Sequence, residues 1–188
     1  MKMFILGLVT MLVVPCAVIF FLLDRGYINL RADATPSGLE TRVAMGAVDA
    51  SAERHGPEGG SPLPANETNL MAGLKLYQDN CSICHGDPSE HEGKLDMPFY
   101  PPVPKFMDDP PTDMSEAQDF YIVKHGIRFS GMPAWEKKFR DEEIWQLSGF
   151  LKHLDSLPPS VDQEWKKHAM PEMPGMEHGS QPMEHMHH

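Results

Sequence analysis

The sequence predicts an all-α fold, and three observations predict it. Apolar residues recur at three- and four-residue spacing behind capping residues in three separate stretches. No stretch alternates polar and apolar residues as a half-buried strand does. Residues 3–23 carry no charge, and 21 residues of helix span about 30 Å, the thickness of a bilayer's hydrocarbon core. At 188 residues the chain is long enough for one modest domain with appendages.

Taken in order, residues 1–23 read as a transmembrane anchor, with Lys2 before the apolar run and Asp24-Arg25 after it. A cleaved signal peptide would have a shorter apolar core and a small-X-small site after it, and Phe20-Phe21-Leu22-Leu23 leads into nothing of that kind. Pro15 is tolerable inside a spanning helix, and Cys16 reads as a buried thiol without function. Lys2 and the amino terminus favour the cytoplasmic side. The expected location is a single pass through the cell inner membrane with the rest of the chain on the periplasmic side. Residues 24–65 read as a flexible linker, rich in Ala, Gly, Pro and Ser and without apolar periodicity. As a coil of about 40 residues it would reach roughly 30–40 Å.

Residues 66–158 hold the helical domain. Asn66 to Thr68 supply a cap, after which Leu70, Gly73, Leu74, Tyr77 and Cys81 share one helical face. Residues 90–111, polar and then proline-rich, predict loop. Ser115-Glu116-Ala117-Gln118 resembles a capping box, followed by Phe120, Ile122 and Val123 before Gly126 ends a short helix. Asp141-Glu142-Glu143 favours the start of a last helix through its dipole. That helix carries Ile144, Leu147, Phe150, Leu151 and Leu154 and is expected to stop at Pro158-Pro159.

Cys81-Ser82-Ile83-Cys84-His85 carries the chemistry. Two cysteines two residues apart, with histidine directly after the second, form the attachment signature for c-type haem. Each thiol adds across a porphyrin vinyl group to give a thioether, and His85 becomes the proximal iron ligand. A thioredoxin-like dithiol would follow a strand, whereas this motif follows a helix. A zinc site would need a second ligand pair, and only scattered histidines are on offer. Candidates for a sixth ligand are Met97, Met107, Met114, Met132, His91 and His125.

With these residues in place, residues 66–158 resemble a class I mono-haem cytochrome c. In that family a glycine and an aromatic stand eight and four residues before the first haem cysteine, as Gly73 and Tyr77 do. A leucine and an aromatic on the last helix meet them, as Leu147 and Phe150 would. The resemblance implies Met132, in Ser130-Gly131-Met132-Pro133, as the distal ligand, a soft thioether that favours ferrous iron. It also implies a proline carbonyl that orients His85; Pro104 is the nearest match, with Pro101 and Pro102 competing. Trp135 and Tyr100 stand as candidates for the haem edge or its propionates and equally for core packing.

After Pro159, residues 159–188 read as a disordered tail crowded with Met and His, from His168 and Met170 to His187-His188. Imidazole and thioether together suit copper as a second metal. The net charge of −11 argues against nucleic acid as a partner. Residues 66–158 hold nine Lys/Arg against sixteen Asp/Glu, which predicts redox protein partners with a basic docking surface. The expected function is electron transfer by a membrane-tethered carrier with one covalent haem, held by Cys81 and Cys84 and ligated by His85 and Met132. A permanently docked haem subunit of a larger oxidoreductase and a copper-handling protein are the alternatives. No catalytic acid, base or nucleophile is called for, because the redox change resides in the cofactor.

Overall fold

The computed structural model describes residues 2–27, 29–95 and 97–167. Among these residues there are seven α-helices and no strand: α1 (Lys2–Asp24), α2 (Gly38–His55), α3 (Glu67–Asn80), α4 (Ser82–His85), α5 (Glu116–His125), α6 (Asp141–Lys152) and α7 (Pro159–Lys167).

The caps lie where the sequence puts them. Asn66 accepts from the Asn69 N–H at the head of α3, and Ser115 and Gln118 form a complete capping box on α5. Two helices, α3 and α6, form the centre of the domain. They approach so closely at Gly73 that a Cβ built there would lie 2.1 Å from the Gln146 carbonyl oxygen and 2.8 Å from the Phe150 Cβ. Around that crossing Leu70, Leu74, Tyr77, Ile144, Leu147 and Phe150 are buried, and α5 closes the other side with Phe120 and Val123. The Phe120 and Trp145 rings stack at 4.2 Å.

Helix α1 is long and apolar enough to cross a bilayer, a property that a signal sequence near an N-terminus shares. Residues 24–65 are not a continuous flexible linker. Helix α2 lies within them, opened by a complete capping box from Ser37 and Glu40 and docked against α5. Its docking face is Ala44, Val48, Ser51 and Ala52, residues too small to register as an apolar stripe, although Ala is the strongest helix former. Ala52 is fully buried, the Ser51 hydroxyl lies 3.5 Å from the Tyr121 hydroxyl, and the His55 ring stacks on Tyr121 at 5.9 Å.

The domain also runs past residue 158. Pro159 is the first residue of α7 rather than a terminator: proline at a first helical position lacks only an N–H that would be unpaired anyway. Val161 and Trp165 of this helix are buried, Trp165 edge-on to Tyr77 at 5.4 Å and to Phe150 at 5.5 Å. Residues 168–188, on which the copper expectation rests, lie outside the described residues.

Among the described residues Asp87, Asp119 and Ser148 are buried and polar, and one of them carries an oxygen without a partner. Asp119 of α5 is buried, and its Oδ2 has no hydrogen-bond partner. Burial pushes its carboxyl up to about 8, against the pull of Lys152 and with a further push from Asp113 and Glu116. Folding therefore favours the protonated acid. Its stabilising contribution is complete below the unfolded value near 4 and is lost as pH rises through about 8. Asp119→Asn keeps the shape without the charge and is expected to stabilise the protein at pH 8 by about 1–3 kcal/mol, with little effect at pH 4. Urea unfolding at the two pH values measures this; an equal effect at both would refute it.

Candidate functional site

Cys81 ends α3, and Ser82 to His85 form the single turn of α4, so the helix feeds the two thiols and the imidazole directly into a cleft. The cleft is lined by Asn80, Cys81, Cys84, His85, Val103 and Pro104 on one side of the sequence and by Gly131, Met132, Pro133 and Trp135 on the other. His85 and Met132, 47 positions apart in sequence, thus share one cavity with both cysteines.

Each wall has its own supports. On the His85 side, Nδ1–H donates to the Pro104 carbonyl at 2.9 Å, and the Phe106 ring stacks on the imidazole at 4.3 Å. Of the three prolines open to sequence reading, Pro104 makes this bond. Burial lowers the His85 pKa, the Pro104 bond opposes that shift, and Lys105 adds to it, which keeps the ring neutral with Nε2 as its remaining ligating nitrogen. Lys105 Nζ also donates to the Cys84 carbonyl at 3.1 Å and to the Glu92 carbonyl, tying the long loop to the motif. Tyr77 donates from its hydroxyl to the Gly86 carbonyl at 2.7 Å and so holds the chain leaving the motif against α3.

On the Met132 side, both backbone groups of the methionine are held. Its N–H donates to the Ser130 hydroxyl at 3.1 Å, and its carbonyl accepts from the Ile127 N–H at 3.1 Å. Ser130 in turn donates to the Ile127 carbonyl at 2.7 Å. Gly126, with φ of +66°, brings the end of α5 so near that a Cβ there would lie 2.7 Å from the Met132 carbonyl oxygen. The sequence points to Gly131 and Pro133 as the residues that hold this loop. Ser130 and Gly126 also hold it, and the only sequence signal for them is that both are residue types common in turns.

The thiols are free, and burial raises the Cys81 pKa to about 12, Cys84 adding to the rise and Lys138 opposing it. A working dithiol couple lowers the pKa of its attacking cysteine, so the local electrostatics run against a thioredoxin-like role. Among the described residues no group of three or more His, Cys, Asp or Glu is arranged to hold a metal ion. The donor set therefore fits a planar, largely apolar group bound through two thiols, with a nitrogen and a thioether to offer a metal at its centre. A buried indole N–H, Trp135 Nε1, lies in the wall without an acceptor.

Residues 68–151 match the family model described as Cytochrome C oxidase, cbb3-type, subunit III. No curated protein matches the chain. Among solved structures, a chain of the reducing HAO-like protein complex of Kuenenia stuttgartiensis is similar, 23% identical over 55% of this chain and 53% of its own length, with a TM-score of 0.43. This chain thus spans about half the length of that relative.

Proposed function

We propose that this protein, whose residues 68–151 form a class I-like cytochrome c domain and make it an electron carrier, works as a membrane-tethered shuttle with haem held by Cys81 and Cys84 and ligated by His85 and Met132. One observation carries the reading: the two thiols, an imidazole fixed by Pro104 and a thioether fixed by Ser130 and Ile127 line a single cleft.

Haem, once bound, supplies the one-electron change between ferric and ferrous iron. The chain does the rest. Cys81 and Cys84 would hold the group covalently through two thioethers, so that it could not dissociate. Pro104 fixes the His85 tautomer and strengthens it as a ligand. The Met132 thioether would favour the reduced metal and give a higher potential than two histidines would. Because both walls are already hydrogen-bonded in place, little reorganisation is needed when the charge changes.

The tether and the partners follow from α1 and the charge. Helix α1 anchors the chain in the inner membrane with the haem domain on the periplasmic side, and respiratory redox proteins are the partners. The acidic domain is expected to meet a basic docking surface. Electron exchange with a basic redox protein should slow several-fold between about 10 mM and 150 mM salt, as the screening length shrinks from about 30 to 8 Å. A stopped-flow rate indifferent to salt would contradict this.

A second reading, a haem subunit docked permanently in a larger oxidoreductase, is favoured by α2. With α2 seated on α5, only residues 25–37 remain between α1 and the domain, about 45 Å at full extension. A short tether suits a fixed station in a membrane complex, and co-purification in mild detergent separates the two readings.

A further inference from the structure

We propose that Phe99 is the residue that keeps the bound haem an electron carrier: its ring, seated on Gly131, closes the cofactor cleft against small ligands that would compete with Met132 for the iron. The proposal rests on haem occupying the cleft with Met132 as a ligand.

Phe99 is the one described residue that lines both the cofactor cleft and a second depression beside it. That outer groove, about 890 Å³, runs between residues 32–36, just ahead of α2, and residues 90–105 of the long loop. Glu90, Glu92 and Lys94 in its lining are exposed, so the groove is open to solvent. Phe99 itself is half-buried. Its ring is the partition between a wet groove and the cleft that holds Cys81, Cys84, His85 and Met132.

Gly131 shows how the ring is seated. A Cβ built at residue 131 would lie 2.5 Å from Cδ1 and 2.8 Å from Cε1 of Phe99, and the nearest atoms it would meet all belong to that ring. The φ of Gly131 is not positive, so its backbone does not call for glycine. Space does, because the ring lies against the chain one residue before Met132. On the other side of the contact, Pro98, Pro101 and Pro102 fix φ around Phe99 and narrow the paths by which its loop could swing out.

The chemistry of the contact is exclusion. Steric access and polarity on the distal side decide whether a haem iron takes up outside ligands or only passes electrons. A phenyl ring offers the iron no ligand and water no hydrogen-bond partner. Ser130 and Ile127 already bracket the Met132 backbone from within its own loop. Phe99 holds that loop from outside and fills the gap through which a competitor would enter. This contact has to open locally before the thioether can yield its place.

The test is cyanide binding to the oxidised, haem-loaded full-length protein, followed by stopped-flow absorption. Phe99→Ala should speed binding about three- to tenfold, the effect of losing roughly half the burial of a phenyl ring. Phe99→Leu, which keeps apolar bulk, should restore most of the wild-type rate. Gly131→Ala should also speed binding, because its methyl displaces the ring, but in the Phe99→Ala background it should add nothing. A general loosening of the fold would make the two effects add, and additivity would overturn the proposal. So would a Phe99→Ala protein with intact Met132 ligation that binds cyanide at the wild-type rate.

A second readout needs no variant. In the reduced, haem-loaded wild-type protein the Phe99 ring protons should show an NMR Overhauser contact with the Gly131 Hα, and its absence would equally overturn the proposal. Wild-type protein lacking covalent haem or methionine ligation would show that the underlying reading fails, before any variant is compared.

Discussion

Gly73→Ala should destabilise the protein by about 3 kcal/mol, although the same change in an ordinary helix would help it. Alanine exceeds glycine in helix propensity by about 1 kcal/mol. At residue 73 that gain is overwhelmed, because the new methyl would lie 2.1 Å from the Gln146 carbonyl oxygen and 2.8 Å from the Phe150 Cβ. Both obstacles belong to α6 backbone or its first side-chain atom, so neither can swing aside. Helices α3 and α6 would have to separate, opening the packing of Tyr77, Leu147 and Phe150 and displacing α4 with its cysteines. Gly46→Ala, in α2 where nothing lies within 4 Å, should instead stabilise by about 0.5–1 kcal/mol. Urea unfolding of both variants decides the matter. Equal effects would mean that α3 and α6 do not cross at Gly73.

Trp165→Ala should cost about 3–5 kcal/mol, the usual range for truncating a large buried aromatic. The side chain is 4% exposed and meets Tyr77 and Phe150 edge-on, so its loss opens a cavity beside the helix crossing. For a domain of about 100 residues this corresponds to a fall in melting temperature of roughly 15 °C or more. Ending the chain at residue 158 should do the same damage. A truncated protein as stable as the full chain would mean that α7 contributes nothing to the core.

These two residues mark the limits of what the sequence discloses. Gly73 is legible because its eight-residue offset from Cys81 matches a family pattern and because a close helix crossing gives glycine a physical reason. Trp165 is not, because Pro158-Pro159 reads as a stop and α7 offers only Val161 and Trp165 as apolar signals over nine residues. Helix α2 is hidden for a related reason. A face of Ala44, Val48, Ser51 and Ala52 packs by closeness rather than by apolar bulk, which a hydrophobic pattern does not detect.

At the cleft, residue identity carried further than residue environment. Cys81, Cys84 and His85 announce themselves by adjacency, and Met132 by its neighbours Gly131 and Pro133. The Pro104 bond spans 19 positions and the Ser130 bracket lies within residues 127–132, but Met132 shares its cleft with His85 across 47 positions. No local pattern encodes that last return. Asp119 is equally invisible: in sequence it is one of two acids in the first turn of α5, and only the folded domain shows that it is buried while its neighbour Glu116 is not.

The most direct test of the whole account is the near-infrared absorption of the oxidised, haem-loaded protein, where sulfur-to-iron ligation gives a weak band. Wild type should show the band and Met132→Ala should lose it while keeping haem covalently attached through Cys81 and Cys84. No band in wild type, or a band that survives the substitution, would contradict Met132 as the distal ligand and with it the picture of a saturated electron-carrying iron.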